Sequence, residues 1–287
     1  MQWRSSGLSE VGTSREGVGL LNPVVIFVFS ECPIVKKNMN FRFGQYFSNK
    51  DLWLHHIEEV RNNGGYVPPF ISQAVETGAV DPYHGDFTNL KRRNFKFRGH
   101  FYKDFAHLAS TDVPNSPSIY QFQSEVAAEI ARLEARGGAR FISERDALSP
   151  GSIVNPIQWE RSPKPDGSWK TRFILHAKGN SFYSRPRFSL ADISDEVHIL
   201  AQFSELAVCD NSDCFYQIRI TPAASKWLRF KVDFEGEPVR YMEMLVLGMG
   251  VSSSPYIVQS ANRLLVEAYS FKFGVYCEVY WGSVAFT

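Results

Sequence analysis

The segment Val208 to Ile220, with the sequence VCDNSDCFYQIRI, decides the predicted fold. Its apolar start predicts a strand that carries Asp210 at its end, and the aromatic residue Phe215 follows shortly after. A carboxylate held rigidly at the end of a strand can bind Mg²⁺ while the ion also takes phosphate oxygens. This segment therefore indicates one strand of a metal-dependent phosphoryl-transfer site.

A second segment, Leu247 to Gln259, has the sequence LGMGVSSSPYIVQ. Gly250 has no side chain, so the backbone there can approach a ligand closely. Ser254 and Pro255 are typical of the N-cap and the first position of a helix. We expect this segment to contribute a close backbone contact and a helix to the same site.

Together the two segments resemble the reverse transcriptase family, whose motifs read D-x-x-x-[AGC]-[FY] and P-F-G-L-x-x-[AS]-P-x-x-[FY]-Q. The first is matched by DNSDCF, from Asp210 to Phe215. The second is matched by GMGVSSSPYIVQ, from Gly248 to Gln259, which keeps the glycine, the proline and the glutamine but replaces the leading Pro-Phe. The likeness covers roughly Ile119 to Tyr280.

An upstream stretch resembles the fingers hairpin of the same family, NP…K-x-D-G-x-x-R-x-I-x-D. It consists of Asn155 to Ile157, with the sequence NPI, and Lys164 to Leu175, with the sequence KPDGSWKTRFIL. His176 stands where the family usually has an acidic residue. Strands are predicted over 153–159 and 171–175, joined by a turn at 163–167 that contains proline, aspartate and glycine.

The resemblance implies an α+β fold over residues 112–287: reverse transcriptase-like fingers and palm, with an antiparallel sheet backed by helices, truncated after the palm and without a thumb. It implies an RNA-directed DNA polymerase of a retroelement, which transfers dNTPs to a primer 3′ end on an RNA or DNA template. Asp210 would be the catalytic residue and the Mg²⁺ ligand. The implied substrate-binding residues are Lys164 or Lys170 and Arg172 on the triphosphate, Phe215 beneath the sugar, and Gly250 and Gln259 on the template side.

Each of these roles has a simpler alternative in the sequence. Lys164, Lys170 and Arg172 could be exposed charges on a hairpin, and Phe215 could face a core. In the family, an aromatic ring at the position of Phe215 would collide with a 2′-hydroxyl, the group by which proteins distinguish RNA from DNA. On the helix after Pro255, Gln259, Asn262 and Arg263 are expected on the open side, facing either a template base and its phosphate or solvent.

The last family motif departs from the expected pattern. Reverse transcriptases complete their site with Y-x-D-D, and this chain has Tyr280-Trp281-Gly282-Ser283. Gly282 and Ser283 offer no charged oxygen, so a pair of Mg²⁺ ions would lose a bridging carboxylate. Glu278 and Asp213 lie nearby in sequence, without a reason to replace it. We therefore expect a degenerate copy with weak or no polymerase activity.

The geometry that the resemblance requires is simple. Asp210 should lie at the edge of a sheet, beside the hairpin that contains Tyr280, under a cleft roofed by the 153–175 ribbon. A competing hypothesis is a non-catalytic nucleic-acid-binding module, and a purely structural interaction protein is a third.

Composition is that of a globular protein. The chain has 287 residues, 44% of them hydrophobic, and a formal net charge of +1, which favours no class of partner. The four cysteines show no zinc-ligand spacing, which suggests an intracellular protein of cytoplasm or nucleus. The apolar run Val24 to Phe29 is too short to span a bilayer, so we expect a buried strand and no membrane partner.

The N-terminal part is harder to interpret. Residues 1–18 are predicted to be disordered, and 19–111 form an uncharacterised region in which Leu52 to Arg61 has helical spacing. Residues 91–103, KRRNFKFRGHFYK, contain six Lys/Arg and no acid. Strand alternation would place Phe95 and Phe97 on one face and Lys96 and Arg98 on the other, so the segment could contact phosphates and bases. The alternative is a solvated basic strand over an ordinary core.

Two further elements are predicted. A helix should begin at Ser116-Pro117 and continue to Gly137-Gly138, with apolar residues recurring every three or four positions. A β-hairpin should cover 227–246, with its turn at Glu235 to Pro238.

Overall fold

The computed structural model describes residues 42–83, 89–90, 95–184, 207–210, 213–273, 277–280 and 283–286. The predictions for 1–18 and for the apolar run 24–29 lie outside these ranges, as do residues 91–94 of the basic segment.

The described chain folds as an α+β protein. Its helices are α1 (Lys50–Asn62), α2 (Pro69–Thr77), α3 (Phe105–Ser110), α4 (Pro117–Gln121), α5 (Gln123–Ala135), α6 (Glu144–Ala147), α7 (Pro222–Ser225) and α8 (Ser254–Phe273), with a 3₁₀ helix at Lys178–Ser181. Its strands are β1 (Asn89–Leu90), β2 (Phe95–Phe97), β3 (His100–Tyr102), β4 (Ala139–Ile142), β5 (Val154–Asn155), β6 (Ile157–Pro163), β7 (Trp169–Leu175), β8 (Tyr183–Ser184), β9 (Ala207–Asp210), β10 (Arg229–Val232), β11 (Arg240–Met244), β12 (Cys277–Tyr280) and β13 (Ser283–Phe286).

The strands form several small sheets. The largest has the order β4-β11-β10-β5, and a three-stranded sheet has the order β12-β13-β9. The pairs β1–β8, β2–β3 and β6–β7 stand as two-stranded units. Among the strands that the structure describes, β5 pairs with β10 in parallel and the other pairings are antiparallel, so the expectation of an antiparallel sheet is wrong for that pair.

Pro156 explains why the strand predicted over 153–159 is divided. A proline has no N–H to donate to a ladder, and here it separates β5 from β6. The two pieces then join different partners, because β5 pairs with β10 while β6 pairs with β7. The predicted hairpin is confirmed as β6–β7, with Ile157 opposite Leu175 and Pro163 opposite Trp169.

The helix predicted from Ser116 is also divided. Phe122 has φ −123° and ψ 38°, which are not helical values, and it separates α4 from α5. The direction of α4 is set by β6: the Ser116 N–H donates to the Ile157 carbonyl at 2.9 Å, and the Ser118 hydroxyl accepts from the Trp159 N–H at 3.1 Å. These tertiary contacts were not visible in the helical spacing, which continues through Phe122.

One core is shared by the described residues on both sides of the boundary predicted at 112. Phe43 and Trp53, from the N-terminal region, belong to the same buried cluster as Phe230 on β10 and Ile257 on α8. The backbone is tied in as well, since the Gly44 N–H donates to the Tyr216 carbonyl at 2.9 Å. None of the helices in the described part of the chain combines the length and the apolarity needed to cross a bilayer.

Candidate active-site cleft

Asp210 lies at the end of β9, beside the hairpin formed by β12 and β13. Its Cα partner across the sheet is Ser283, and Ser283 in turn pairs with Tyr280. Because the order is β12-β13-β9, the strand that carries Asp210 is an edge strand. Two parts of the expected geometry are therefore observed in the backbone, the position at a sheet edge and the neighbouring hairpin, while the position of Asp210 under a cleft roofed by 153–175 stays a prediction. The position of the Asp210 carboxylate lies outside what the structure describes.

The residues around this strand end do not fit a two-ion magnesium centre. The partner of Asp210 is a serine, whose hydroxyl is neutral, and not a second carboxylate. Asp213 is engaged elsewhere: Arg132 donates to its Oδ2 at 2.8 Å and to its Oδ1 at 3.2 Å. Within the described ranges, no group of three or more His, Cys, Asp or Glu side chains comes together to hold a metal. Mg²⁺ binding by Asp210 therefore stays a prediction.

A cleft of about 450 Å³ opens between the β6–β7 hairpin, α5 and the turn that follows β9. It brings together two of the predicted substrate-binding residues, Arg172 and Phe215. The full lining is Glu129, Arg132, Trp159, Thr171, Arg172, Phe173, Asp213, Cys214, Phe215, Tyr216 and Met249. The cleft is lined by arginine, carboxylate and aromatic side chains, a mixture that suits a polar ligand with one flat, apolar part.

Arg172 projects into the cleft from β7, where its cross-strand neighbour is Glu160. The Arg172 Nη1 lies 3.6 Å from Glu160 Oε2, and both side chains are partly exposed. An ion pair of this kind contributes little to stability, of the order of 0–1 kcal/mol. Arg172 can therefore exchange Glu160 for an anionic ligand at small cost.

Phe215 combines the two interpretations that the sequence left open. Its side chain is partly buried and packs against the core, and Phe215 is also a lining residue of the cleft. It is held in a turn in which the Tyr216 N–H donates to the Asp213 carbonyl at 2.8 Å, and Asp213 has φ 54°. The neighbouring Tyr216 is buried, and this burial raises the pKa of its phenol well above the usual value.

Arg132 is a cleft residue that the sequence did not reveal. It binds Glu129 on the same helix, with Nε to Oε2 at 2.7 Å and Nη2 to Oε1 at 2.8 Å, and it also binds Asp213. The hydrogen bonds that Arg132 donates to the Glu129 carboxylate are the main cause that raises the pKa of Arg132. Its guanidinium also lies over the rings of Phe43 and Tyr216, at 5.2 and 5.7 Å from their centroids. The i,i+3 spacing of Glu129 and Arg132 could have predicted their ion pair from the sequence, whereas nothing in the sequence indicated the contact of Arg132 with Asp213.

Gly250 makes a close approach, but to the chain itself. An added Cβ at Gly250 would lie 2.0 Å from the Leu175 carbonyl oxygen, and φ is 103°. The Leu175 N–H donates to the Met249 carbonyl at 2.9 Å, so the backbone at Met249 and Gly250 packs directly against the end of β7. The observed reason for the glycine is therefore backbone packing, which places Met249 in the cleft wall.

The expectation that Gln259 and Asn262 face an open side is wrong. Each is only 4% exposed, because α8 packs against α1 as well as against the core. Asn262 accepts a hydrogen bond from the Tyr46 hydroxyl. The amide nitrogens of both side chains have no hydrogen-bond partner among the described residues. Arg263 does reach the surface, as expected.

Lys164 and Lys170 are exposed on the β6–β7 hairpin. Lys164 begins the turn, in which the Gly167 N–H donates to the Lys164 carbonyl at 3.0 Å. Neither lysine lines the cleft. Their predicted contact with a triphosphate would require the ligand to extend beyond the cleft along the hairpin.

The basic aromatic segment forms the hairpin β2–β3. Phe97 is buried and Lys96 is exposed, as alternation predicted. Arg98 is not a strand residue: with φ 47° it forms the turn together with Gly99, whose φ is 85°. The prediction that Arg98 shares a strand face with Lys96 is therefore wrong, because the turn redirects it.

Comparisons with known proteins add nothing to this geometry. No model of a known protein family matches the chain, and no curated protein matches it.

Proposed function

We propose that this chain is a reverse transcriptase-like fingers and palm, an RNA-directed DNA polymerase by resemblance, in which nucleotidyl transfer is weak or lost. The observation that carries the proposal is the pairing of β9 with the β12–β13 hairpin, which sets Asp210 opposite Ser283. The order of four sequence motifs along the chain supports the same conclusion. In this proposal the partners are a dNTP and an RNA or DNA template-primer.

The cleft supports nucleotide binding through its charges. Arg172 and Arg132 both line it, and only Arg172 has a single, weakly held carboxylate partner. Arg172 is therefore the cation that would neutralise phosphate oxygens. Phe215 provides a flat apolar surface at the same cleft, against which a sugar without a 2′-hydroxyl would pack.

The proposal of weak transfer rests on the donor set at the strand end. Gly282 and Ser283 stand where the family has two aspartates, so the carboxylate that would bridge two ions is missing. Asp213 is held by Arg132 and lies 3.8 Å from Arg136. Recruiting Asp213 would break its bonds to Arg132 and leave that cation with Glu129 alone. The chain would therefore retain a nucleotide without transferring it efficiently.

Equilibrium binding of a fluorescent dNTP tests the cleft directly. Arg172→Ala should weaken binding about tenfold, the loss of one charge-assisted contact of about 1.5 kcal/mol. Arg145→Ala is the matched control, because Arg145 is an exposed arginine on α6 away from the cleft. Phe215→Ala should reduce the preference for dNTP over NTP. Equal effects of Arg172→Ala and Arg145→Ala would contradict the proposed site.

Primer extension in Mg²⁺ tests the second half of the proposal. We expect extension by the wild-type chain to be close to background on a primed RNA template. Vigorous extension that Asp210→Ala abolishes would show that the transfer activity is intact, and the claim of a degenerate site would be wrong.

A second candidate function is non-catalytic nucleic-acid binding. The observation that favours it is the exposed face of the β2–β3 hairpin, where Lys96 lies across from Phe101. Retention of a template-primer that falls with rising salt, without extension, would support this function.

A further inference from the structure

The β2–β3 hairpin carries an aromatic ring that points into solvent. Phe101 is 71% exposed, and the pairing places it directly across from Lys96 on the same face. The Lys96 Nζ lies 5.2 Å from the centre of the Phe101 ring. A cation beside an exposed ring is the arrangement that proteins use to hold a base and its phosphate together.

The opposite face fastens this hairpin to the protein. Phe97 is buried, and the Ser181 hydroxyl donates to the Lys96 carbonyl at 3.1 Å. The turn at Arg98 and Gly99 has φ values of 47° and 85°, as in the tight turns that match the twist of a two-stranded ribbon. Phe101 is therefore presented on a well-anchored ribbon.

A groove of about 500 Å³ lies on the face of the hairpin opposite Phe101, lined on one side by Arg98, His100 and Tyr102. Its other side is the segment from Thr111 to Pro114. The acid in this wall, Asp112, is neutralised by Lys231, whose Nζ lies 2.8 Å from each carboxylate oxygen. Lys231 also lies 3.8 Å from Asp233, so Arg98 is the cation that the groove lining presents to a ligand.

The surroundings of Phe101 favour nucleic acid over an apolar partner. Cations lie on either side of it along the chain, at Lys96, Arg98 and Lys103, and the residues just before the hairpin are Lys91, Arg92 and Arg93. A protein-protein hot spot would be expected to lie in an apolar patch with a polar rim. Within the described hairpin, Phe101 is exposed and lies across from Lys96, and a positive charge there complements a phosphate backbone.

We propose that the β2–β3 hairpin binds single-stranded nucleic acid, with a base stacked on Phe101 and the adjoining phosphates on Lys96 and Arg98. Stacking reads every base, so binding is expected to be tolerant of sequence. Arg98 lies in the turn that joins the two strands, and its guanidinium donates to the Pro114 carbonyl at 2.9 Å in the wall of the groove. This inference rests on the nucleic-acid binding proposed above and gives it a site.

Fluorescence anisotropy with short labelled oligothymidylate and oligouridylate tests the site. Phe101→Ala should weaken binding about tenfold, within the range of base-aromatic stacking, and Phe101→Trp should retain it. Tyr66→Ala is the matched control, because Tyr66 is 73% exposed and lies on a different segment, after α1. Lys96→Gln should weaken binding and reduce the slope of log affinity against log salt by about one unit.

Three outcomes would overturn the proposal. The first is that Phe101→Ala and Tyr66→Ala have the same effect, which would leave nucleic-acid binding in place but move it away from the hairpin. The second is that the wild type binds neither oligonucleotide at low salt, which would remove the nucleic-acid function as well. The third is that binding to anionic phospholipid vesicles depends equally on Phe101. Binding of dNTP in the cleft is measured in a separate assay, so none of these three outcomes decides whether the cleft binds a nucleotide.

Discussion

Replacing Gly250 by alanine tests the contact that joins the second motif to the hairpin above the cleft. The new Cβ would lie 2.0 Å from the Leu175 carbonyl oxygen, a backbone atom that cannot move without moving β7. The backbone φ of 103° adds a strain of about 1–3 kcal/mol for a residue with a side chain. Relief of the clash would also cost the hydrogen bond from Leu175 to Met249, worth about 1 kcal/mol. We expect a loss of about 2–4 kcal/mol in the free energy of unfolding.

Gly236→Ala separates the clash from the backbone strain. Gly236 also has a positive φ, 79°, but no atom lies within 4 Å of the Cβ position. This substitution should therefore cost only the conformational strain, about 1 kcal/mol. Urea unfolding followed by tryptophan fluorescence gives both values. The account of the close approach is refuted if Gly250→Ala destabilises the protein no more than Gly236→Ala does.

Two further predictions concern charge. Lys178 is only 1% exposed, and burial lowers its pKa to about 8. Between that pH and the usual lysine pKa, the unfolded chain binds more protons than the folded chain does. The free energy of unfolding should therefore rise with pH over this range, by about 1–3 kcal/mol. Below pH 8 the lysine is protonated in both states and this dependence vanishes; Lys178→Met should remove the rise, and identical profiles for wild type and variant would contradict the assignment. The double substitution Gly282→Asp and Ser283→Asp should raise Mg²⁺-dependent primer extension above the wild-type rate, because it returns two carboxylates to the hairpin next to β9. Adding Asp210→Ala should abolish the gain, and no gain, or one that survives this third change, would count against the proposed ancestry.

Several elements could be predicted because their signals are local. The helix predicted at 52–61 corresponds to α1, because its apolar spacing and the asparagine that caps it lie close together in the sequence. The hairpins at 157–175 and 229–244 were found from alternating residues and turn-forming glycines. The neighbourhood of Asp210 and the Tyr280 hairpin was predicted through the family resemblance, and composition alone would not have given it.

Burial on more than one side could not be predicted. The pattern of α8 predicts one apolar face, so Gln259 was expected to be exposed, but α1 covers the helix from a second direction. The same limit applies to Arg132, whose contact with Asp213 joins residues 81 positions apart. Sequence periodicity describes one face of one element at a time, and it contains no information about a second neighbour.

The sequence by itself determined the positions of α1 and of the hairpins at 157–175 and 229–244, which residues carry charge, and that the last motif has Gly-Ser in place of two aspartates. These properties depend on side-chain chemistry and on short-range backbone preferences. Only the tertiary structure decided that Gly250 packs against Leu175, that Asp213 is held by Arg132, and that Arg172 and Phe215 share a cleft. Such contacts join segments far apart in the chain, and their geometry is set when all the elements are packed together.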